Sequence, residues 1–252
     1  MRSEKAGLYR ACGLLPTYNN PLTIRRMVEE VRQHLPDIIL VDDGSSSPAQ
    51  ELCAALASEG LVTLVRLERN QGKGAAVVAG LAQAQALGFT HAFQIDADGQ
   101  HDVTAMSEFL KASRQNPDWL VLGHPLYRGA QPRSRRWARR LTGFWVGVEL
   151  GDRSLVTDAM IGFRVYPIVS TLAARPKSRR MDFDIEIIVR MVRAGITVVN
   201  LPVGVTYPDK ESGGISHFRP VMDNLSFCGM HTRLCMSGIF GWVQRCLTGR
   251  AA

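Results

Sequence analysis

The chain alternates short apolar runs with stretches of helical spacing, and each run stops at a cluster of Pro, Asp, Asn or Gly. Residues 11–15 are apolar and end at Pro16. Residues 22–35 place Ile24, Met27, Val28, Val31 and Leu35 at the spacing of an amphipathic helix. Residues 38–41 read as a buried strand ending in Asp42-Asp43-Gly44-Ser45, and residues 48–60 as a helix stopped by its glycine. Residues 61–67 read as a strand followed by the loop Asn70-Gln71-Gly72-Lys73-Gly74, residues 75–87 as an alanine-rich helix closed by Gly88, and residues 90–95 as a strand. Such alternation predicts an α/β fold with a doubly wound, mostly parallel central sheet and helices on both faces. Sheets of this kind bind ligands outside the carboxyl ends of their strands. The polar loops at 16–20, 42–47, 70–74 and 96–101 all follow predicted strands, so four loops are expected on one edge.

The last of these loops carries the most chemistry. Gln94-Ile95-Asp96-Ala97-Asp98-Gly99-Gln100-His101 places two carboxylates two residues apart at the end of an apolar run. Side chains at i and i+2 of a strand point to the same face, so Asp96 and Asp98 aim together past the strand end. Two like charges that close call for compensation, and a divalent cation is the simplest. Carboxylate oxygens are hard ligands suited to Mg²⁺ or Mn²⁺, which take further oxygens from a bound phosphate. The competing reading is a polar turn leading into the next helix, with Asp102 near its N-cap.

The second half is less regular. Residues 119–123 read as a strand, 126–147 are basic and aromatic, 162–168 read as a strand, 183–194 as a helix and 197–207 as a strand. The chain has 252 residues, 46% hydrophobic and 21% charged, with no internal repeat and no linker, which fits one large domain with a C-terminal helical appendage. Its net charge of +7 favours an anionic partner. No segment reaches the roughly 18 uncharged apolar residues of a membrane span, because residues 225–247 are interrupted by His231, Arg233, Gln244 and Arg245. The N-terminal stretch lacks an apolar secretory core. The five cysteines include no C-x-x-C pair, which excludes a zinc ribbon and reads as free thiols. Together these features point to a cytoplasmic protein, or one lying on the cytoplasmic membrane face.

Pro16-Thr17-Tyr18-Asn19, Val41-Asp42-Asp43-Gly44-Ser45, Asn70-Gln71-Gly72-Lys73-Gly74-Ala75 and Asp96-Ala97-Asp98-Gly99-Gln100-His101 stand in an order that resembles family 2 glycosyltransferases. The similarity is greatest to the polyprenol-phosphate and dolichol-phosphate mannosyltransferase and glucosyltransferase group, and it covers about residues 10–210. It implies a GT-A fold and metal-dependent, inverting transfer of a sugar from a UDP- or GDP-linked donor. The acceptor it implies is membrane-associated: a polyprenyl phosphate, or another lipid or aryl acceptor. Residues 1–210 would be the catalytic domain, and residues 211–252 a closing loop and amphipathic helical segment.

The expected roles follow residue by residue. The resemblance puts Pro16 and Tyr18 at the donor. Asp42 or Asp43, ending a buried strand, can accept hydrogen bonds from ribose or base, and the matching acids of the family contact the nucleoside. Gly72 and Gly74 let backbone N–H groups approach phosphate at a helix N-terminus, and in the family Lys73 faces the nucleotide. Asp98 is the first choice for metal ligand, with Asp96 near it, and the resemblance adds Gln100. Asp158-Ala159-Met160-Ile161-Gly162-Phe163-Arg164 is similar to a later family segment, with Ile161 where serine is usual. Arg164 has the planar fork for a bidentate pyrophosphate contact. Asp182, Asp184 and Glu186 fall in the first turns of a helix, where acids favour the dipole. Glu186 matches the family position best and is the candidate general base, a role that an already anionic lipid phosphate would not need. Residues 210–219, with Lys210 and His217, are similar to a loop that orders over the pyrophosphate, with Ser216-His217 where Ser-Lys is usual. Asn20 stands where the family has Glu, and Ser46-Ser47-Pro48 replaces a usual Asp.

Arg128, Arg133, Arg135, Arg136, Arg139 and Arg140 interleave with Trp137, Phe144 and Trp145. This composition suits a solvated helix face or a peripheral membrane interface. Nucleic acid is not expected as a partner, since no matching motif is present. Two rival functions make different demands. A sugar-nucleotide pyrophosphorylase needs a Gly-rich, Arg-bearing loop after the first strand, which Pro16-Thr17-Tyr18-Asn19 does not supply. A non-catalytic membrane- or nucleic-acid-binding protein on a degenerate transferase fold has no need of an intact Asp96/Asp98 pair.

Overall fold

The structure, a computed structural model, describes residues 9–129, 133–206 and 225–238, apart from the side chains of 133–135. Seven strands form one sheet in the order β3-β2-β1-β4-β6-β5-β7. The first half is a regular strand–helix alternation: β1 (Ala11–Thr17), α1 (Ile24–Arg32), β2 (Ile38–Asp42), α2 (Ala49–Ser58), β3 (Thr63–Arg66), α3 (Lys73–Ala86) and β4 (His91–Ile95). These strands pair in parallel. Strands β2 and β4 are buried at every residue, as β-branched and aromatic runs covered on both faces require.

A short 3₁₀ turn (Val103–Ala105), α4 (Met106–Gln115), β5 (Leu120–Arg128), α5 (Arg133–Leu150), β6 (Phe163–Pro167), α6 (Ile168–Ala173), α7 (Phe183–Arg193) and β7 (Val198–Thr206) follow. Strand β6 runs antiparallel to both β4 and β5, and β5 pairs with β7 in parallel along its full length. Among the described residues, 225–238 form a further helix, α8. Its Met230 and Leu234 are buried in the core beside α7, so this part of the C-terminal segment packs back on the domain. The basic stretch after β5 is the eighteen-residue helix α5.

The core has two layers, one on each face of the sheet. Helices α3, α6 and α7 cover one face with Val77, Leu81, Ile168, Phe183 and Ile187. Helices α1, α2 and α4 cover the other with Met27, Val28, Leu56 and Phe109. The strand order reverses between β1 and β4, which opens a crevice at their carboxyl ends. The loops after β1 and β4 meet there: Asn20 Nδ2 donates to the Ala97 carbonyl at 3.0 Å, and the Thr23 hydroxyl donates to the same oxygen. The residue that departs from the family pattern at position 20 thus joins the two loops.

Candidate active site

Because β6 is antiparallel to β4, its entry lies beside the exit of β4, with Ile95 paired to Phe163. Asp96 N–H donates to the Gly162 carbonyl at 3.1 Å. A Cβ built on Gly162 would lie 2.1–2.3 Å from the Asp96 carboxylate, so only glycine leaves room for that acid. The end of β7 closes the other side. Thr206 N–H donates to the Gln100 carbonyl at 2.9 Å, and His101 bridges Val205.

Lys73 opens α3, and its ammonium lies 2.8 Å from Asp96 Oδ1 and 2.6 Å from Asp184 Oδ2. This approach depends on Gly74, where a Cβ would stand 2.4 Å from the Cβ of Phe183 at the start of α7. Burial opposes the lysine charge, but Asp184 and Asp96 outweigh it and hold its pKa above the ordinary value. Burial also opposes ionisation of Asp96, and Lys73 outweighs it, holding that carboxyl below its usual range. Asp98 goes the other way: burial, and next the charge of Asp96, push its carboxyl up. Asp98 accepts the Gln100 N–H at 3.0 Å and has no ion-pair partner among the described residues. His101 is held neutral by burial, against the pull of Asp98 and Asp96. Its ring lies 5.5 Å from that of Phe163.

Three expectations are corrected. Arg164, expected at the pyrophosphate, is 0% exposed. Its five N–H groups face the carbonyls of Ile161, Asp184 and Ala159 and the Tyr166 hydroxyl, and it lies 3.6 Å from Asp184 Oδ1. It braces the wall behind Asp184 and has no donor to spare for a diphosphate. Glu186, expected as general base, is also 0% exposed. Its oxygens accept from the backbone of Lys177 and Ser178 and from the guanidiniums of Arg190 and Arg233. Burial disfavours its charge, but the Ser178 and Arg190 bonds hold the carboxyl below its ordinary range. A carboxylate so fully engaged is a clamp between α7, α8 and the 177–178 loop. The third correction concerns the α3 N-terminus. Its anion is internal: Asp43 accepts the N–H groups of Gln71 and Gly72 at 2.7 and 2.8 Å, and Ala75 N–H donates to the Arg179 carbonyl. Gly72 takes φ 101° to allow this, a conformation L side chains resist.

The remaining expected residues are placed as follows. Asp42 is fully buried, accepting the Ser45 N–H and pairing with Arg66, so it builds the turn and is closed to a nucleoside. Asp43 is nearly as buried. Pro16 and Tyr18 line the β1 exit and are partly exposed. Lys210 and His217 lie outside the described residues. Asp102 caps the 3₁₀ turn, accepting the Thr104 N–H at 3.2 Å. Of the two acids, Asp184 and not Glu186 reaches the Lys73–Asp96 cluster. Both sit in the first turns of α7, but positions two apart on a helix face nearly opposite ways, and the side that meets Lys73 belongs to Asp184. No periodicity in the sequence says which side that is.

Lys73 and Arg164 bring two positive charges against the three carboxylates of Asp96, Asp98 and Asp184, leaving one formal negative charge. Asp96, Asp98 and Gln100 offer hard oxygen donors in one turn, and Asp98 has no ion-pair partner among the described residues. Among the described residues no group of three His, Cys, Asp or Glu converges on a metal point. Two carboxylates and an amide oxygen are the hard donors that Mg²⁺ accepts alongside diphosphate oxygens and water.

A family model described as Glycosyl transferase family 2 matches residues 14–178. The polyprenol monophosphomannose synthase of Mycolicibacterium smegmatis is 27% identical over 241 residues, covering 89% of each chain. The undecaprenyl-phosphate mannosyltransferase of Micrococcus luteus is 27% identical, covering 81% of this chain and 86% of its own. Among solved structures, glucosyl-3-phosphoglycerate synthase from Mycobacterium tuberculosis matches with a TM-score of 0.66 at 18% identity, covering 90% of this chain and 80% of that one. The same enzyme in complex with Mn²⁺, UDP and product matches with a TM-score of 0.64. The fold is that of the GT-A glycosyltransferases.

Proposed function

The chain belongs to glycosyl transferase family 2, and from that premise we propose that it moves a sugar from a UDP- or GDP-linked donor to a polyprenyl phosphate at a membrane surface. The observation that carries this reading is the Asp96/Asp98 pair at the exit of β4, held in the crevice by Lys73 and Gly162. The names of two relatives that cover most of this chain, a polyprenol monophosphomannose synthase and an undecaprenyl-phosphate mannosyltransferase, support the acceptor class.

In this reading an oxygen of the acceptor phosphate attacks the anomeric carbon opposite the leaving diphosphate. The new C–O bond forms as the old one breaks, the electron pair leaves on the β-phosphate oxygen, and the configuration inverts. Asp98, Asp96 and Gln100 would hold Mg²⁺ or Mn²⁺, which when bound neutralises charge on the diphosphate. Lys73 fixes the orientation of Asp96 and adds positive charge close to the reacting centre. Arg180, exposed and packed by its stem against Gly72, takes the diphosphate contact that buried Arg164 cannot make. Pro16 and Tyr18, partly exposed at the β1 exit, face the nucleoside, and the diphosphate is assigned to Lys210 on the family resemblance alone. The engagement of Glu186 favours an acceptor that is already an anion, since a phosphate oxygen needs no base. Residues 1–210 form the catalytic unit and 211–252 its closing segment, working on the cytoplasmic membrane face. No helix among the described residues is long and apolar enough to cross a membrane.

Thermal unfolding with UDP or GDP, each with and without Mn²⁺, tests the donor site. One nucleotide should raise Tm only with the cation, and Asp98→Asn should abolish that shift. Radiolabelled sugar transfer from that nucleotide's conjugates to polyprenyl phosphate then tests the acceptor. No shift with either nucleotide from a folded sample overturns the reading in favour of a non-catalytic binder.

A further inference from the structure

Gln94 stands in β4 two residues before Asp96, on the sheet face covered by α3 and α7. It is 0% exposed, and neither its amide nitrogen nor its amide oxygen has a hydrogen-bond partner among the described residues. Folded proteins seldom leave a buried amide unpaired, because its lost hydration costs free energy. Strand pairing sets Leu14 on one side of Gln94 and Arg164 on the other. Leu14 has no polar side-chain atom. Arg164 lies directly opposite, and its donors are all spent on Ile161, Ala159, Asp184 and Tyr166. Asp184 has a matching defect. Its Oδ2 holds Lys73 at 2.6 Å, but its Oδ1 accepts no hydrogen bond among the described residues, and Arg164 Nη2 at 3.6 Å lies beyond bonding reach. The Tyr166 hydroxyl shares this face, diagonal to Gln94 across the β4–β6 pair. Burial pushes its pKa up to about 12, so it keeps a proton to donate while accepting from Arg164 Nη1 at 3.2 Å.

We infer that an ordered water binds in the floor of the site and bridges Gln94 to Asp184, which makes Gln94 a positioning residue for the Lys73–Asp96 pair. A water that accepts from the Gln94 amide and the Tyr166 hydroxyl and donates to Asp184 Oδ1 makes three bonds, the usual number for a buried water. It gives a partner to the Gln94 nitrogen, to the Tyr166 proton and to the second oxygen of Asp184. The consequence reaches the reacting centre through the other carboxylate oxygen. With Oδ1 held from below, the Asp184 carboxylate cannot rotate, and Oδ2 keeps Lys73 at its place against Asp96. The effect on sugar transfer rests on the transferase reading above, whereas the bridge itself does not.

Gln94→Met tests this by the sign of its effect, because methionine keeps the shape of the side chain and removes the amide. Loss of a water-bridged amide should lower Tm by about 2–4 °C. Removal of an amide that has no partner at all should raise it instead. Sugar transfer by Q94M should show kcat reduced about tenfold or more with the donor KM unchanged, the mark of a group that acts through a neighbour and does not touch the donor. A crystal structure of the full chain, at a resolution that orders waters, should place one within hydrogen-bond distance of both Gln94 Nε2 and Asp184 Oδ1. A Tm in Q94M equal to or above that of the wild type, wild-type kcat in a destabilised Q94M, or a direct Gln94–Asp184 bond with no water between them would each overturn the proposal. Should the wild-type chain transfer no sugar, the transferase reading fails by itself, and the Tm and the crystal structure still decide the bridge.

Discussion

Lys73 Nζ and Asp184 Oδ2 lie 2.6 Å apart although 111 positions separate them in the chain. Their contact ties the start of α3 to the start of α7 and sets the back wall of the pocket. Replacing Lys73 by Met leaves two carboxylates facing each other in a largely buried site. Breaking a buried pair in this way costs about 3–5 kcal/mol. Asp96 is depressed, so its contribution is present above its ordinary pKa of 3.8 and lost as pH falls through the folded value. Lys73 is raised, so its contribution is full below 10.5 and lost as pH rises through the folded value. The stability gap between native protein and K73M, measured by urea unfolding, should shrink as pH falls through the acid range, where protonation of the uncompensated carboxylates relieves K73M, and as pH rises above 10.5.

Gly162→Ala tests the contact between β6 and Asp96. The added Cβ falls on the carboxylate, so Asp96 must move away from Lys73. Sugar transfer should drop about 100-fold or more, in line with a displacement of about 1 Å at a reacting centre. The fold should persist, with a lowered Tm and weaker nucleotide-dependent stabilisation. Wild-type transfer by G162A would show that the position of Asp96 is not critical.

Glu186→Gln separates a clamp from a base. Loss of one charge from a four-bonded carboxylate should lower stability by about 2 kcal/mol or more. Because the Glu186 carboxyl is depressed, the native advantage over E186Q is present above its ordinary 4.5 and fades as pH falls below it. The pH profile of kcat should keep its shape in E186Q. Loss of the acidic limb, along which activity rises as a general base loses its proton, would restore Glu186 as general base.

Cation binding at Asp98 should depend on pH. Burial and the Asp96 charge raise its pKa, so a metal ion must displace a proton over a range above 3.8. The Mn²⁺-dependent part of the Tm shift should grow as pH rises through that range and level off beyond it. Asp98→Asn should give no metal-dependent shift at any pH.

Asp43→Ala removes the acceptor for two backbone N–H groups at Gln71 and Gly72. Each bond to a charged acceptor contributes about 1.5–3 kcal/mol, so D43A should be among the most destabilising single changes near the site. Urea unfolding reads the loss directly. Faster amide exchange at Gln71 and Gly72 would locate it.

Much of this molecule was legible in the chain. The alternation of apolar runs and helical stretches determined the order of strands and helices through β4. The sheet rule put their polar loops on one edge, because parallel strands joined by helices must share a direction. The spacing of Asp96 and Asp98 set two acids on one face of a strand end. What the sequence left open were long-range contacts that no local period encodes. Whether Arg164 faces a ligand or a ring of carbonyls depends on which side of β6 meets α7. Whether Asp184 or Glu186 enters the pocket depends on the rotation of α7, fixed by Phe183 packing against Gly74. The anion at the start of α3 turned out to be Asp43 because β2 ends beside that turn. Tertiary structure decided these points because a charged side chain at a strand end or helix start satisfies local rules equally well buried or exposed. Only the neighbours brought from far along the chain determine which hydrogen bonds replace the water it loses.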